Sequence, residues 1–350
     1  MTKLGNYIRW QDRRIEIPTE RIQLCEAWGY DALFMGEGLG HDAFSILAYC
    51  AAITKKVALG TCIAQIPGRL PVTMACSAQT LTHLVGPERN IMLGIGTSAA
   101  VVAESFYGTS FDRPIARLRD YVAVIRAAGA GAGVDFEGRT MSVPYRGPDA
   151  RGAPPFPMAI NTRSDIPLYL AAAGPQMIGL AAEIFDGWFP LPSMYSPASM
   201  HLYQPLLEAG FARSSRKRTM TDLDIWVQLD VIVNEDLAAA MLEAKKFVVL
   251  YWNSMKSQLE FLGYGEQAAA IDRLVKDGRK DDATRLVPDQ YVDDGWLLGP
   301  ISRIRERVHP WLECGLGGLI IRSGSRMPES PEPESIDVYR AIAEEAGRIG

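Results

Sequence analysis

The residues best placed to do chemistry lie at glycine turns. Gly94-Ile95-Gly96-Thr97-Ser98-Ala99 follows a β-rich run and matches G-x-G-x-x-A, a spacing whose glycines let backbone approach a pyrophosphate. The acids that follow it, Asp112 and Asp120, sit before or within a helical run and not at a strand end, where a ribose contact would need them. The turn reads either as a tightly packed βα corner or as a backbone cradle for a cofactor. A second turn, Ala171-Ala172-Ala173-Gly174-Pro175-Gln176-Met177, ends a strand run and opens a helix, so free N–H groups and the helix dipole would face any anion bound there. Its small residues suit plain packing equally. A third, Met35-Gly36-Glu37-Gly38-Leu39-Gly40-His41, sets a carboxyl and an imidazole close together at a strand end, and both types can move a proton. His41 also reads as a cap for the next helix.

Other polar groups carry less. His83 and His309 read as structural or solvated, and Arg213, Arg216, Lys217 and Arg218 as a solvated turn between a helix and a strand. There is no P-loop, no G-x-S-x-G elbow, no H-E-x-x-H and no clustered ligand set among four histidines. Hydrolytic and metal chemistry lose most of their support, and no metal is expected.

Short β-rich runs alternate with helical patterns, the signature of parallel βαβ units. Six strand runs stand out: 31–35, 57–63, 91–95, 168–172, 225–233 and 319–321; shorter pieces at 4–8 and 188–190 complete eight. Helical stretches lie at 18–28, 43–54, 71–84, 114–127, 175–185, 197–212, 235–262, 300–314 and 335–347, several with proline in the first turn. This count fits an α/β protein of the (β/α)8 TIM-barrel class better than an open doubly wound sheet, and functional residues are then expected after the strands' C-terminal ends. The chain is expected to be one barrel domain over 1–350, with insertions near 129–165 and 263–298.

Composition agrees with a folded globular protein: 350 residues, 48% apolar, 22% charged and 9% aromatic. A net charge of −5 disfavours a nucleic-acid partner. The most membrane-like stretch, 166–182, is broken by Gly174, Pro175 and Gln176 and falls short of the ~20 apolar residues a span needs, so no membrane partner is expected. Charged Arg9, Arg14 and Glu16 stand where a secretory peptide would need an apolar run, and five cysteines lack any C-x-x-C pair. A cytoplasmic protein with reduced thiols is the expectation.

These patterns resemble a known family. Ala27-Trp-Gly-Tyr-Asp-Ala-Leu-Phe-Met-Gly-Glu37, Val57-Ala-Leu-Gly-Thr-Cys62-Ile63, Asn90-Ile-Met-Leu-Gly-Ile-Gly96-Thr97 and Arg113-Pro-Ile-Ala-Arg-Leu-Arg-Asp-Tyr121 are similar to segments of the bacterial luciferase-like barrel proteins. So are Ile166–Pro175, Ala181–Trp188 and Leu298–Arg307. Within that family the chain resembles the branch that uses the deazaflavin coenzyme F420, including methylenetetrahydromethanopterin reductase-like enzymes.

The resemblance implies a planar ring in the barrel mouth, backed by the strand that ends at Cys62, Ile63 and Gln65, with a non-prolyl cis bond between Cys62 and Ile63. It implies cofactor contacts from Glu37, Gly96, Thr97, Ser98, Ala173, Gly174, Gln176 and Met177, and a homodimer. Two departures matter: alcohol- and sugar-phosphate-oxidising members carry a histidine where this chain has Gly38 and a glutamate where it has Ala99. Reduction is then easier to support than oxidation, since proton removal from an alcohol lacks its usual base. The expectation is an F420-dependent oxidoreductase that moves hydride from reduced F420 to a C=C, C=N or C=O group of a small-molecule substrate. Glu37, His41 and Ser98 are the candidate proton-handling residues. The alternatives are an FMN-dependent luciferase-like monooxygenase fed by a partner reductase, and a non-catalytic flavin-binding protein. Tyr251, Trp252 and Trp296 are candidate walls of the substrate pocket.

Overall fold

A computed structural model describes residues 1–9, 14–324 and 335–350. In chain order its strands are β1 (Lys3–Tyr7), β2 (Ala32–Met35), β3 (Ala58–Gln65), β4 (Ile91–Gly96), β5 (Phe136–Glu137), β6 (Ser142–Val143), β7 (Leu168–Ala172), β8 (Gly187–Pro190), β9 (Asp224–Val233), β10 (Leu297–Gly299) and β11 (Gly318–Ser323). Eight of these close a parallel barrel in the order β1, β2, β3, β4, β7, β8, β9, β11, with β11 pairing back onto β1. The expected strands are all present, each within two residues of its expected ends. The barrel forms because its strands are buried on both faces, one turned inward and one toward the helices.

Alternation along β9 shows how the two faces are divided. Ile225, Val227, Leu229 and Val231 pack with the surrounding helices, while Trp226 joins Phe34, Met92, Tyr169, Phe189 and Ile320 inside the barrel. The interior rings fill the lower barrel: Tyr169 stacks on Phe189 at 4.9 Å, and Phe34 meets Trp226 edge-on at 5.1 Å. Glycines make room for them. A Cβ on Gly60 would stand 2.6 Å from the Phe34 ring, and one on Gly94 would stand 2.4 Å from Phe189. This layer plugs the barrel, so whatever binds does so above it, at the C-terminal ends of the strands.

The outer helices begin as their prolines dictate. Pro71–Val85, Pro114–Gly129 and Pro175–Ile184 each carry proline in the first turn, where its missing N–H has no partner to lose. The stretch expected as one helix over 235–262 is two, Leu237–Leu250 and Trp252–Phe261, because the chain leaves helical geometry at Tyr251 (φ −103°, ψ 30°). That bend lets Phe247, Trp252, Met255 and Leu259 face one second apolar cluster, which also takes Ile271, Tyr291 and Trp296. The helices Gly265–Lys276, Lys280–Leu286 and Asp289–Gly295 complete this layer, and β10 hydrogen-bonds to the upper half of β9. The other expected insertion contains only a short hairpin, β5 with β6, among its regular elements. Among the described residues no helix is long and apolar enough to cross a membrane.

Candidate functional site

Four strand ends meet at one side of the barrel mouth. At β2, Glu37 N–H donates to the Ile63 carbonyl at 2.8 Å, and the Glu37 carboxylate accepts from Gln65 N–H at 2.7 Å. The Gln65 side-chain amide returns a hydrogen bond to the Glu37 carbonyl, also at 2.7 Å. β2 and β3 are thus laced together beyond their ladder. The Cys62–Ile63 peptide bond is cis, as the family resemblance implied, and the pairing of β3 with β4 shifts register between Thr61 and Ala64. Thr61 spans the irregularity by donating its hydroxyl to the Gly94 carbonyl at 2.7 Å.

The two glycines of the G-x-G-x-x-A turn differ in kind. Gly94 is a packing residue, since a Cβ there would lie 2.2 Å from the Thr61 carbonyl oxygen. Gly96 faces Ile63, whose Cδ1 would stand 2.6 Å from an added Cβ, and is next to Ala171. Beyond it Thr97 donates its hydroxyl to the Ser98 carbonyl at 3.2 Å, and Ser98 has φ 60°, a left-handed conformation that costs a non-glycine residue energy. Ala173, Gly174 and Gln176 continue from β7, which pairs with β4, so they belong to the same rim; Gly174 and Gln176 are exposed, and an added Cβ on Gly174 would touch nothing within 4 Å. Ala173 and Met177 both pack against the main apolar cluster.

Glu37 is not a loose carboxylate. Its second oxygen meets Arg69 Nε at 3.0 Å, and Arg69 also pairs with Asp42 and lies 4.8 Å over the Phe44 ring. Burial raises the Asp42 carboxyl, but hydrogen bonds from Ser45 and the Arg69 charge outweigh it and hold the group below its ordinary value. Asp42, and not His41, caps the helix Ala43–Ile53, accepting from Ser45 N–H at 2.7 Å. His41 folds back over the loop, its Nε2 3.0 Å from Gly38 N and 3.1 Å from the Gly36 carbonyl.

At this rim the side-chain oxygen of Gln65 has no hydrogen-bond partner among the described residues. It is enclosed, and because the amide nitrogen must face the Glu37 carbonyl, the orientation of the group is fixed. A buried acceptor left this way costs about 1–3 kcal/mol unless something donates to it.

Deeper in the mouth lies a group of residues that the motifs did not reveal. Arg322 Nε is 3.1 Å from Asp230, its Nη1 reaches Gln228, and its guanidinium lies 5.1 Å over the Tyr7 ring. Arg322 and Asp230 are both nearly fully buried. Burial pushes the neighbouring Cys62 thiol up to about 12, with the Arg322 charge pulling partway back. The signal was present: Trp226, Gln228 and Asp230 occupy alternate positions of a strand whose other face is apolar, placing polar groups inside the barrel.

The remaining candidates lie elsewhere. Trp252 and Trp296 are buried in the second apolar cluster, Trp252 donating to Asp272 at 3.0 Å, so they are core residues and not pocket walls; Tyr251 is exposed. His83 contacts the Asn161 carbonyl and His309 pairs with Glu345. In the basic turn, Arg213 binds Glu183 and Arg218 donates to the carbonyls of Ala182 and Asp222, tying it to the fold.

Comparison with known proteins places this architecture. Residues 13–316 match the family model described as luciferase-like monooxygenase. A Mycobacterium tuberculosis protein, provisionally named a coenzyme F420-dependent oxidoreductase, is 34% identical over 87% of this chain and 90% of its own. The 5,10-methylenetetrahydromethanopterin reductase of Archaeoglobus fulgidus is 24% identical over 86% and 88%. Among solved structures, the coenzyme F420-dependent tetrahydromethanopterin reductase of Methanopyrus kandleri superposes with a TM-score of 0.74 over 98% of both chains at 19% identity, a likeness of fold.

Proposed function

The chain belongs to the luciferase-like monooxygenase family, and from that premise we propose that it is an F420-dependent oxidoreductase that passes hydride from reduced F420 to an unsaturated C=C, C=N or C=O group. The observation that carries the cofactor assignment is the rim of β2, β3 and β4. There a buried acceptor, Gln65 Oε1, lacks a donor, and Gly36 and Gly96 leave no side chain where backbone and Ile63 close in. A planar heterocycle with N–H groups fits that chemistry. The names of relatives at 34% and 24% identity support F420 over FMN, which is the alternative cofactor.

Bound F420 would supply the hydride; the protein supplies position and electrostatics. In this reading Gln65 accepts from the ring edge, Cys62 and Ile63 back it, and Gly96, Thr97 and Ser98 border it. Glu37 acts through Gln65 and Arg69, keeping β2 and β3 in register. Ala173, Gly174, Gln176 and Met177 belong to the turn that opens the helix Pro175–Ile184, whose first N–H groups have no side-chain cap and suit the anionic tail. The aromatic layer of Phe34, Tyr169, Phe189 and Trp226 closes the barrel below, excluding water from that side. Gly38 and Ala99 provide no acid or base of their own, which favours the direction of reduction. The homodimer is part of the proposal and is checked by light scattering.

A panel of electron-poor alkenes, imines and ketones with reduced F420, run beside alcohols with oxidised F420, tests the assignment. Oxidation of reduced F420 by a member of the first set is expected. Turnover only with reduced FMN and oxygen would replace it with the monooxygenase alternative.

A further inference from the structure

Arg322 is a cation held inside the barrel. It is the penultimate residue of β11 and alternates with Ile320, so its side chain turns inward above the aromatic layer. Asp230 stands opposite it on β9 with a carboxylate oxygen 3.1 Å from Nε, and Gln228, two residues earlier on that strand, accepts from Nη1. Tyr7, at the end of β1, lies under the guanidinium at 5.1 Å. These contacts fix the plane of the group. Nη2 differs from the other nitrogens: it makes no hydrogen bond among the described residues, and unlike Nε it is not enclosed. The side chain keeps 6% of its surface accessible, and Nη2 is part of it. Because the packed aromatic layer closes the barrel below, that surface opens upward into the mouth.

The donor faces the space assigned above to the ring. A Cβ built on Gly36 would stand 2.5 Å from the Tyr7 hydroxyl and 2.7 Å from the Cys62 carbonyl oxygen, so Tyr7 links Arg322 to the Cys62–Ile63 wall. The charge of Arg322 also acts on the Cys62 thiol, opposing the upward push of burial. Chemistry then narrows the acceptor. A protonated imine would meet a like charge at Arg322, and an isolated alkene offers Nη2 no acceptor atom. A carbonyl oxygen accepts from Nη2, and does so more strongly as negative charge grows on it. Direct reduction of a ketone leaves an alkoxide, a strong base that needs an acid at once, and a guanidinium does not give up its proton. Reduction of an enone leaves an enolate, a far weaker base that a guanidinium can hold until solvent protonates it.

We propose that Arg322 binds the developing oxyanion of the reduction and that the substrate is an α,β-unsaturated carbonyl compound, an inference that rests on the F420 reading above. Hydride adds with its electron pair to the β carbon. The C=C pair forms a new double bond between the α carbon and the carbonyl carbon, and the carbonyl π pair moves onto oxygen, which accepts from Nη2–H of Arg322. Solvent then protonates the α carbon and the carbonyl is restored; the second proton, released as the cofactor is oxidised, goes to solvent.

The test uses two readouts. Removing one member of a buried ion pair endangers the fold, so Arg322→Gln is combined with Asp230→Asn, and Arg322→Lys is made beside it. In protein without cofactor, 4-nitrophenol serves as a stable mimic of the enolate, a planar ring bearing an ionisable oxygen. Wild type is expected to favour its phenolate, lowering its pKa by about one unit or more, a tenfold preference for the anion. The double variant is expected to produce no such shift, and equal behaviour of the two proteins overturns the oxyanion role. For turnover with reduced F420, 2-cyclohexen-1-one is compared with cyclohexanone and an imine. The double variant is expected to lose about 100-fold or more in kcat with the enone while its Kd for F420 is unchanged. Arg322→Lys, which keeps the charge but not the hold on both Asp230 and Gln228, is expected to lose kcat and keep F420 binding. Folded variants with the wild-type kcat overturn the proposal, as do variants that lose F420 binding, which would assign the guanidinium to the ring. Turnover of the imine as fast as the enone overturns the substrate class. Wild-type protein that oxidises no reduced F420 with any acceptor overturns the F420 reading and the substrate class with it, while the 4-nitrophenol titration reads the oxyanion role by itself.

Discussion

Gln65 is committed on two sides and open on a third: its N–H and side-chain amide hold Glu37, and its Oε1 is buried without a partner. Gln65→Ala should weaken F420 binding by about 1–2 kcal/mol, roughly a tenfold rise in Kd, because it removes an acceptor already desolvated. An unchanged Kd by titration would move the ring edge elsewhere. Cys62 behaves differently. Burial pushes its thiol from 9.0 up to about 12, so it stays protonated wherever the enzyme would be assayed. The folded state then holds a proton that the unfolded state loses, so this contribution to stability is complete below pH ~9 and declines as pH rises toward 12. Cys62→Ser should accordingly be mild, with no change in the pH profile between 6 and 8, and a large activity loss would make the thiol itself necessary. Glu37 was legible because it stands at a strand end, whereas Cys62 and Gln65 entered only through the family resemblance. Arg69 and the pairing of Asp230 with Arg322 were not legible, since each joins segments distant in sequence; only the inward placement of Asp230 could be read, from the alternation along β9.

Between elements, the β2–β3 rim depends on Arg69, which joins Glu37, Asp42 and the Phe44 ring and whose carbonyl accepts from the Tyr121 hydroxyl at 3.0 Å. Arg69→Ala leaves a nearly buried Glu37 carboxylate without its cation, and should cost about 1–3 kcal/mol in urea unfolding, discounted for the partial exposure of Arg69. A loss within error would mean that Gln65 N–H alone secures Glu37. At the opposite rim, Gln176→Glu adds a negative charge beside the uncapped first turn of Pro175–Ile184, and should weaken F420 binding by about 1 kcal/mol, more at low salt. Equal affinity would route the anionic tail away from that turn. The barrel strands could be read from sequence because each is a short apolar run bounded by helical periodicity. The break at Tyr251 and the three-residue β10 could not: the first interrupts an unbroken helical pattern, and the second is too short to carry one.

Across the whole molecule, β9 serves two cores. Trp226 lies in the barrel interior and Ile232 in the second cluster, and β10 is hydrogen-bonded to the same strand from Val231 to Val233. We therefore propose that the insertion unfolds with the barrel as one domain, giving a single calorimetric transition; two resolved transitions would separate them. The barrel mouth is expected to take F420 in preference to FMN. Titration of the purified protein with F420 and FMN side by side, followed by deazaflavin and flavin fluorescence, tests it most directly. Saturable binding of F420 with a Kd at least about tenfold below that of FMN is the predicted result, a difference of about 1.4 kcal/mol. Preferential binding of FMN, or binding of neither, would contradict it.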